Sequence, residues 1–196
     1  TIFNNEDTRH DDKDVYCTVL WGATTDFTQD TFEHGGVFID NDGDAIDTTM
    51  IQRPLPDGGM RTYRITKDNA HGNGIWMDST DAKRWWEPDT QWTLVQDRIG
   101  AEYVPDGNPG GVEGPAVFAN HHNDGGADDE WYLFVDVIPS IGYQPMISHD
   151  LDKGWVKLES QDYFLTEHTK HGGVASLTRA EYERLRPLAA LADLRS

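Results

Sequence analysis

The chain has 196 residues, and its 35 acidic residues outnumber its 16 lysines and arginines, which gives a formal net charge of −19 at pH 7. A surface this negative repels nucleic acids and anionic membranes, so both are excluded as partners. The single cysteine, Cys17, excludes an intrachain disulfide and a cysteine-based zinc site.

The N-terminal segment, residues 1–14, is polar and predicts a solvated acidic turn that contains Asp7, Asp11, Asp12 and Asp14. After it, β-branched and aromatic runs bounded by Gly, Pro, Asn or Asp predict strands almost to the C-terminus. The predicted strands cover residues 15–21, 35–40, 46–51, 61–66, 74–79, 92–97, 115–120, 130–138, 143–148 and 154–159. The chain is therefore expected to be all-β over most of its length.

The segment DNDGDAID, residues 40–47, joins two predicted strands and resembles a calcium-binding loop. An EF-hand loop that begins at Asp40 needs Gly at its sixth position and Glu at its twelfth, where this sequence has Ala45 and Ile51. The segment is therefore predicted to form an Asp-Gly turn between two strands. Incidental calcium binding is the alternative.

Only the C-terminal end has the pattern of a helix. Thr178 is the predicted N-cap, and Glu181 three residues later completes a capping box. Pro187 is expected to kink or split this helix because proline cannot donate the backbone hydrogen bond. The predicted division is a β domain over residues 1–177 and a helical tail over residues 178–196.

The strand region contains a repeat. The pattern AIDTTMI…RTYRIT…IWMDSTDAKRW aligns with VEGPAVF…WYLFVD…YQPMISHDLDKGW. In this alignment Asp47 and Glu113 are equivalent, 66 positions apart (113 − 47), each in front of the first strand of its unit. The later strands end near Asp81 and Asp150, and Asp26 ends a third copy. Units of about four short strands predict propeller blades, with a β-sandwich as the alternative.

The repeat has a chemical consequence. The innermost strand of each blade lines the central axis, so Asp47 and Glu113 are expected to face one cavity from adjacent blades. Paired carboxylates are what glycoside hydrolysis uses, with one kept protonated by burial and a nearby like charge. Tyr143, which begins the third strand of the last unit, offers an aromatic face for a sugar ring. The alternatives are a Glu in a turn at a strand edge and an aromatic residue of the core.

The segments AIDTTMI, VEGPAVF…WYLFVD…GY and HTKHGGV resemble the pattern of glycoside hydrolase family 43 over roughly residues 15 to 185. The family comprises five-bladed β-propellers, including arabinofuranosidases, xylosidases and arabinanases. The resemblance implies that this chain holds about the last three blades or slightly more, followed by a C-terminal helix. It also implies an inverting glycosidase that acts on arabinose- or xylose-containing plant polysaccharides or oligosaccharides.

Site roles follow from the same resemblance. Glu113 resembles the general acid, and Asp47 resembles the carboxylate that orients and tunes that acid. His171 resembles the axial histidine near a central water or metal ion and is expected, with Tyr143, to contact substrate. Lys170 stands where an arginine is common. No cofactor is expected to be required, with structural calcium as the alternative, and the expected location is extracellular, with the cytoplasm as the alternative.

The general base of the family is an Asp in the first blade, and no aspartate near the N-terminus of this chain matches its motif. A five-bladed domain needs about 300 residues at the repeat length seen here. The earlier blades are therefore expected to be missing. This expectation leaves a second function open, a non-catalytic carbohydrate-binding or assembly module that self-associates or pairs with a completing chain through open strand edges. A truncated remnant without activity of its own is the third alternative.

Overall fold

The computed structural model describes residues 2–7, 16–26, 32–40, 44–72, 74–121, 129–139, 141–166 and 169–192, and its strands form three antiparallel sheets. The first sheet contains β1 (Ile2–Asp7), β2 (Tyr16–Ala23) and β3 (Glu33–Ile39). The second contains β4 (Ala45–Pro54), β5 (Met60–Asp68), β6 (Gly74–Thr80) and β7 (Thr93–Ile99). The third contains β8 (Val112–Ala119), β9 (Trp131–Val137), β10 (Gly142–Ser148) and β11 (Val156–Lys157). Short 3₁₀ turns lie at Ala101–Tyr103, Pro109–Gly111 and Leu151–Lys153, and α1 spans Arg179–Ala192.

The three sheets are successive blades of a partial β-propeller, as the repeat predicts. Strands follow one another in chain order within each sheet, and β4 packs against β8 as the innermost strands of neighbouring blades. β1 and β2 pack on β4 in the way that β5 and β6 pack on β8. The strands of the first sheet therefore occupy the second, third and fourth positions of a blade. Asp26, Asp81 and Asp150 each follow the third strand of a blade, as the alignment implies.

The prediction for the N-terminal segment is wrong where the structure describes it. Residues 2–7 form β1, and Asp7 pairs with Tyr16 across the ladder to β2. Backbone hydrogen bonds to β2 determine this strand, and they do not depend on apolar side chains, which is why a polar composition misled the prediction. The remaining predicted turn residues, the centre of the calcium-like loop at 41–43 and the side chain of Cys17 lie outside what the structure describes.

The main core lies between the second and third sheets. Alternation along β5 turns Tyr63 and Ile65 toward the third sheet, where both are fully buried. Their partners in this cluster come from both sheets, namely Ile75, Met77, Ile99, Val112, Trp131, Leu133, Val135, Met146, Leu151 and Trp155. A smaller cluster of Val19, Ile39 and Ala45 joins the first sheet to the second. Among the described residues, the cluster between the first and second blades is therefore smaller than the cluster between the second and third.

A polar network ties the second blade to the third at the ends of their strands. Asp152 accepts hydrogen bonds from the Tyr63 hydroxyl at 2.7 Å, from Arg61 at 2.9 Å and from Arg53. Arg53 also donates to Asp150 at 3.1 Å. Burial alone would raise the pKa of Asp152, but these hydrogen bonds outweigh it and hold that pKa below the usual range for aspartate.

The C-terminal helix begins with the predicted capping box. The Thr178 N–H donates to Glu181 at 2.8 Å, and the Glu181 N–H is 3.3 Å from the Thr178 hydroxyl oxygen. The helix continues through Pro187 as one element, so the prediction of a split there is wrong. No helix among the described residues is both long and apolar enough to cross a membrane.

Candidate active site

Two β-bulges on the innermost strands position the candidate acids. The register shifts between Ile46 and Thr49 on β4 and between Glu113 and Ala116 on β8. Each bulge contains one residue with left-handed backbone, Asp47 with φ 51° and Gly114 with φ 56°. Aspartate tolerates this region better than most residues because its short polar side chain can hydrogen-bond locally. Both acids thus lie within strands rather than in front of them.

The bulges correct the predicted equivalence of the two acids. Matching the register shifts makes Asp47 equivalent to Gly114 and Ile46 equivalent to Glu113, an offset of 67 (114 − 47) rather than 66. A one-residue slip in a regular strand would send the two side chains to opposite faces. The left-handed residue in each bulge turns the chain locally, and the two carboxylates still converge.

Asp47, Glu113 and His171 meet at the axis. One carboxylate oxygen from each acid and one imidazole nitrogen all lie within 4.8 Å of one another. Asp47 Oδ2 accepts from the Gly114 N–H at 3.3 Å and lies 3.4 Å from His171 Nε2. A Cβ on residue 114 would stand 2.7 Å from the His171 ring, so only glycine allows this approach. The site therefore depends on the glycine next to Glu113 as well as on the acid.

Tyr143 holds the segment that carries His171. Its N–H donates to the Thr169 carbonyl at 2.9 Å, and its hydroxyl lies 3.1 Å from the carbonyl oxygens of both Gly114 and Gly172. The side chain is 7% exposed and lines a hollow of about 260 Å³ at the axis. Burial raises the pKa of the Tyr143 hydroxyl, although its hydrogen bond to the Gly172 backbone lowers it in part. The tyrosine is thus a neutral donor and acceptor at ordinary pH.

Asp136 adjoins the candidate site, and the sequence-based prediction did not include it. It is fully buried on β9, directly across the ladder from Glu113. Its Oδ2 lies 3.1 Å from His171 Nδ1 and 3.9 Å from Lys170 Nζ, but among the described residues neither of its oxygens has an aligned hydrogen bond. The carboxylate therefore acts on His171 mainly through charge, and it faces the ring nitrogen opposite Asp47.

Lys67 is the second residue that was missed. It lies on β5 across from Ile46, is 2% exposed, and donates to the Gly110 carbonyl at 3.2 Å. Burial lowers the pKa of Lys67, while the negative charges of Glu113, Asp68 and Asp47 oppose that shift. The available signal was a charged residue inside a strand that is otherwise buried, as in RTYRITKD and WYLFVDV.

The described residues that could hold a metal ion here are the same three, Asp47, Glu113 and His171. Two carboxylates supply the hard oxygen ligands that calcium prefers, and further oxygens would have to complete its six to eight positions. His171 is 46% exposed and Asp47 is 23% exposed at the side chain, so solvent reaches the cluster. The donor set therefore fits a weakly held cation as well as a proton-transfer site.

A family model described as a probable glycosyl hydrolase domain, of the family 43-related group, matches residues 1–183. The chain belongs to this glycosyl hydrolase 43-related family. Among solved structures, a thermostable family-43 glycoside hydrolase matches this family 43-related domain with a TM-score of 0.50 and 15% identity, over 76% of this chain and 48% of that one. At that identity the likeness shows the fold, and the domain spans about half the length of that structure. No curated protein matches the chain.

Proposed function

We propose that this domain carries the acid side of an inverting glycosidase site that acts on arabinose- or xylose-containing plant polysaccharides. Family membership supports glycosidase chemistry in general. The observation that carries the proposal is the convergence of Glu113, Asp47 and His171 at the meeting point of two bulged innermost strands. In the proposed reaction Glu113 protonates the glycosidic oxygen as the bond to the sugar breaks.

Asp47 is too close to Glu113 to be the base of an inverting pair. The two carboxyl groups of such a pair stand about 6.5–9.5 Å apart to leave room for the attacking water. Here one carboxylate oxygen of Asp47 lies within 4.8 Å of one of Glu113. Asp47 is also tied to the Gly114 N–H and to His171. Its proposed role is to orient Glu113, which lies beside it at the axis. Among the described residues that line the hollow, Asp47 is the one carboxylate, and Glu113 lies beside it, so the proposal requires a base from outside these residues.

Leaving-group dependence tests the role of Glu113. The comparison uses the wild type, Glu113→Gln and the exposed control Glu159→Gln on aryl arabinofuranosides and xylosides. Loss of a general acid is expected to lower the hydrolysis rate about 10²–10⁴-fold for an aryl glycoside with a poor leaving group. The loss is expected to be much smaller for a dinitrophenyl glycoside, because dinitrophenolate departs without a proton. Equal losses on both leaving groups, or equal rates for all three proteins, would exclude Glu113 as the acid.

A metal ion is not required by this proposal. A cation held by Asp47, Glu113 and His171 needs Glu113 ionised, whereas proton donation needs it protonated, so the two states exclude each other. Calcium added to the metal-free protein is therefore expected to lower the hydrolysis rate. A rate that depends on calcium instead would contradict the assignment of Glu113.

The second candidate is a non-catalytic carbohydrate-binding or assembly module. It is favoured because the described residues of the hollow and its border supply no carboxylate for the base besides Asp47 and Glu113. This candidate predicts that arabinoxylan binds to the wild type and to Glu113→Gln equally, with no product formed. It also predicts self-association or a completing partner chain, which light scattering measures. A catalytically active monomer would exclude it.

A further inference from the structure

A large cleft lies between the first and second blades, away from the axis. Its volume is about 730 Å³, against about 260 Å³ for the axial hollow, and the two share no lining residue. The cleft is bounded by β3 on one side and by β5, β6, β7 and the loop 81–92 on the other. Nothing in the axial chemistry accounts for a cleft of this size in this place.

Aromatic side chains form much of its wall. Phe38, Trp76, Trp85 and Trp92 all line the cleft. The Phe38 ring packs edge-on against Trp85 and Trp92, at centroid distances of 5.4 and 5.8 Å, which fixes the orientation of these rings. Leu94 continues the wall toward solvent and is 60% exposed. The cleft thus offers flat, rigid apolar faces that open to solvent.

An ordered ion pair forms one part of the lining. Arg64 and Asp78 form a bidentate pair with both hydrogen bonds at 2.8 Å, and their side chains are 12% and 9% exposed. The guanidinium lies 4.0 Å from the centre of the Trp92 ring, and the Trp76 N–H is 3.4 Å from Asp78. The pair is neutral as a unit and locked by its aromatic neighbours. It presents fixed donors and acceptors beside aromatic faces.

The charge of the lining selects among ligand classes. Besides Asp78, four carboxylates line the cleft, from Asp40, Asp68, Glu87 and Asp97. They repel anionic ligands. Arg64 lies over the Phe38 and Trp92 rings and opposes a cationic ligand there, which leaves Trp85 and Trp76 as the aromatic side chains for a neutral one. Carboxylates beside fixed aromatic faces suit a neutral ligand with many hydroxyl groups.

We propose that this cleft between blades is a second carbohydrate site, which binds a neutral oligosaccharide stretch of the polymer on which the axial site acts. The proposal rests on the proposed function for the identity of the sugar, and on the cleft itself for the existence of the site. Its expected effect is to hold a polymer on the protein, so it changes the use of polysaccharide and leaves short aryl glycosides unaffected.

Binding is measured in the Glu113→Gln background by calorimetry with xylohexaose and arabinohexaose. Trp85→Ala removes a wall, and Leu94→Glu places a charge at an exposed position where no loss of folding is expected. Phe164→Ala is the matched control, because this side chain is 91% exposed and lies outside the cleft lining. Each cleft variant is expected to weaken binding by about tenfold or more, and the control is expected to bind as its parent does.

The outcomes separate the two proposals. With Glu113 intact, Trp85→Ala is expected to hydrolyse aryl glycosides normally and arabinoxylan slowly. Three results would overturn the second site: unchanged affinity in both cleft variants, no binding by the parent, or preferential binding of a tetralysine peptide. None of them affects the leaving-group test of Glu113. Binding that requires Trp85 in a protein that hydrolyses nothing would uphold the cleft and reject the proposed reaction.

Discussion

Replacement of Gly114 by alanine is expected to displace His171 at a modest cost to the fold. Gly114 has φ 56°, and left-handed backbone costs a residue with a Cβ about 1–2 kcal/mol. The new Cβ would stand 2.7 Å from His171 Cδ2 and 2.8 Å from Nε2, so the ring has to move. Because that side chain is 46% exposed, the ring moves into solvent with little further cost. The melting temperature is then expected to fall by roughly 2–8 °C.

The catalytic loss is expected to be larger than the stability loss. Moving the ring breaks the 3.4 Å approach of Nε2 to Asp47 and the 3.1 Å approach of Nδ1 to Asp136. Misplacement of a site by about 1 Å can cost on the order of 10²-fold in rate. We therefore expect a drop of about that size in aryl glycoside hydrolysis.

Two glycines provide matched controls for this experiment. Gly58 has φ 85° and no atom within 4 Å of the point where a Cβ would stand, so Gly58→Ala carries the backbone strain alone. Gly173 lies two residues from His171, has no left-handed strain and also has open space where its Cβ would stand. Thermal unfolding and hydrolysis are measured on all three variants. If Gly58→Ala loses as much activity as Gly114→Ala, or Gly114→Ala keeps full activity, the reasoning about His171 is refuted.

Three further predictions concern the support of the site and of the fold. Asp136→Asn removes a buried charge that lacks aligned hydrogen bonds. The melting temperature is therefore expected to stay the same or rise, while the hydrolysis rate falls about tenfold. A fall in both the melting temperature and the rate would contradict this prediction. The pKa of Asp152 is lower in the folded than in the unfolded protein. The stability that ionised Asp152 contributes is therefore fully present above the unfolded pKa of about 3.9 and is lost as the pH falls through the folded pKa. The side chain of Asp152 is 36% exposed, so Asp152→Asn is expected to lower the free energy of unfolding in urea by about 1–2 kcal/mol at pH 7. The loss is expected to shrink progressively below about pH 4, and an equal loss at pH 7 and below pH 4 would contradict this prediction. Thr178→Ala is expected to destabilise α1 by about 1 kcal/mol, seen as faster amide exchange in the helix alone; faster exchange in the sheets would contradict a local effect.

The blade repeat could be predicted because strand periodicity and turn residues are local signals. Strand positions on the second and third blades agree with the sequence pattern to within a few residues. The capping box of α1 is equally local, since Thr178 and Glu181 contact each other directly. The strand Ile2–Asp7 was missed because its evidence is a pairing with β2 rather than its own composition.

The candidate site was only partly predictable because its geometry depends on bulges. The sequence indicates that Asp47 and Glu113 belong to one site, but the shift from 66 to 67 residues appears only in the ladder registers. Lys67 and Asp136 reach the site from the second strand of each blade, where pattern reasoning expects core residues. The cleft between the first two blades depends on how separate sheets pack, and no local pattern contains that information.

The route by which His171 reaches the axis has a consequence for heat inactivation. Residues 169–173 have neither helix nor strand structure, and Tyr143 anchors them through the Thr169 carbonyl and Gly172. Segments with few such bonds open at lower free energy than sheet cores. On warming, the imidazole is therefore expected to leave the axis while the blades remain intact, and activity should vanish reversibly below the temperature at which the sheets melt.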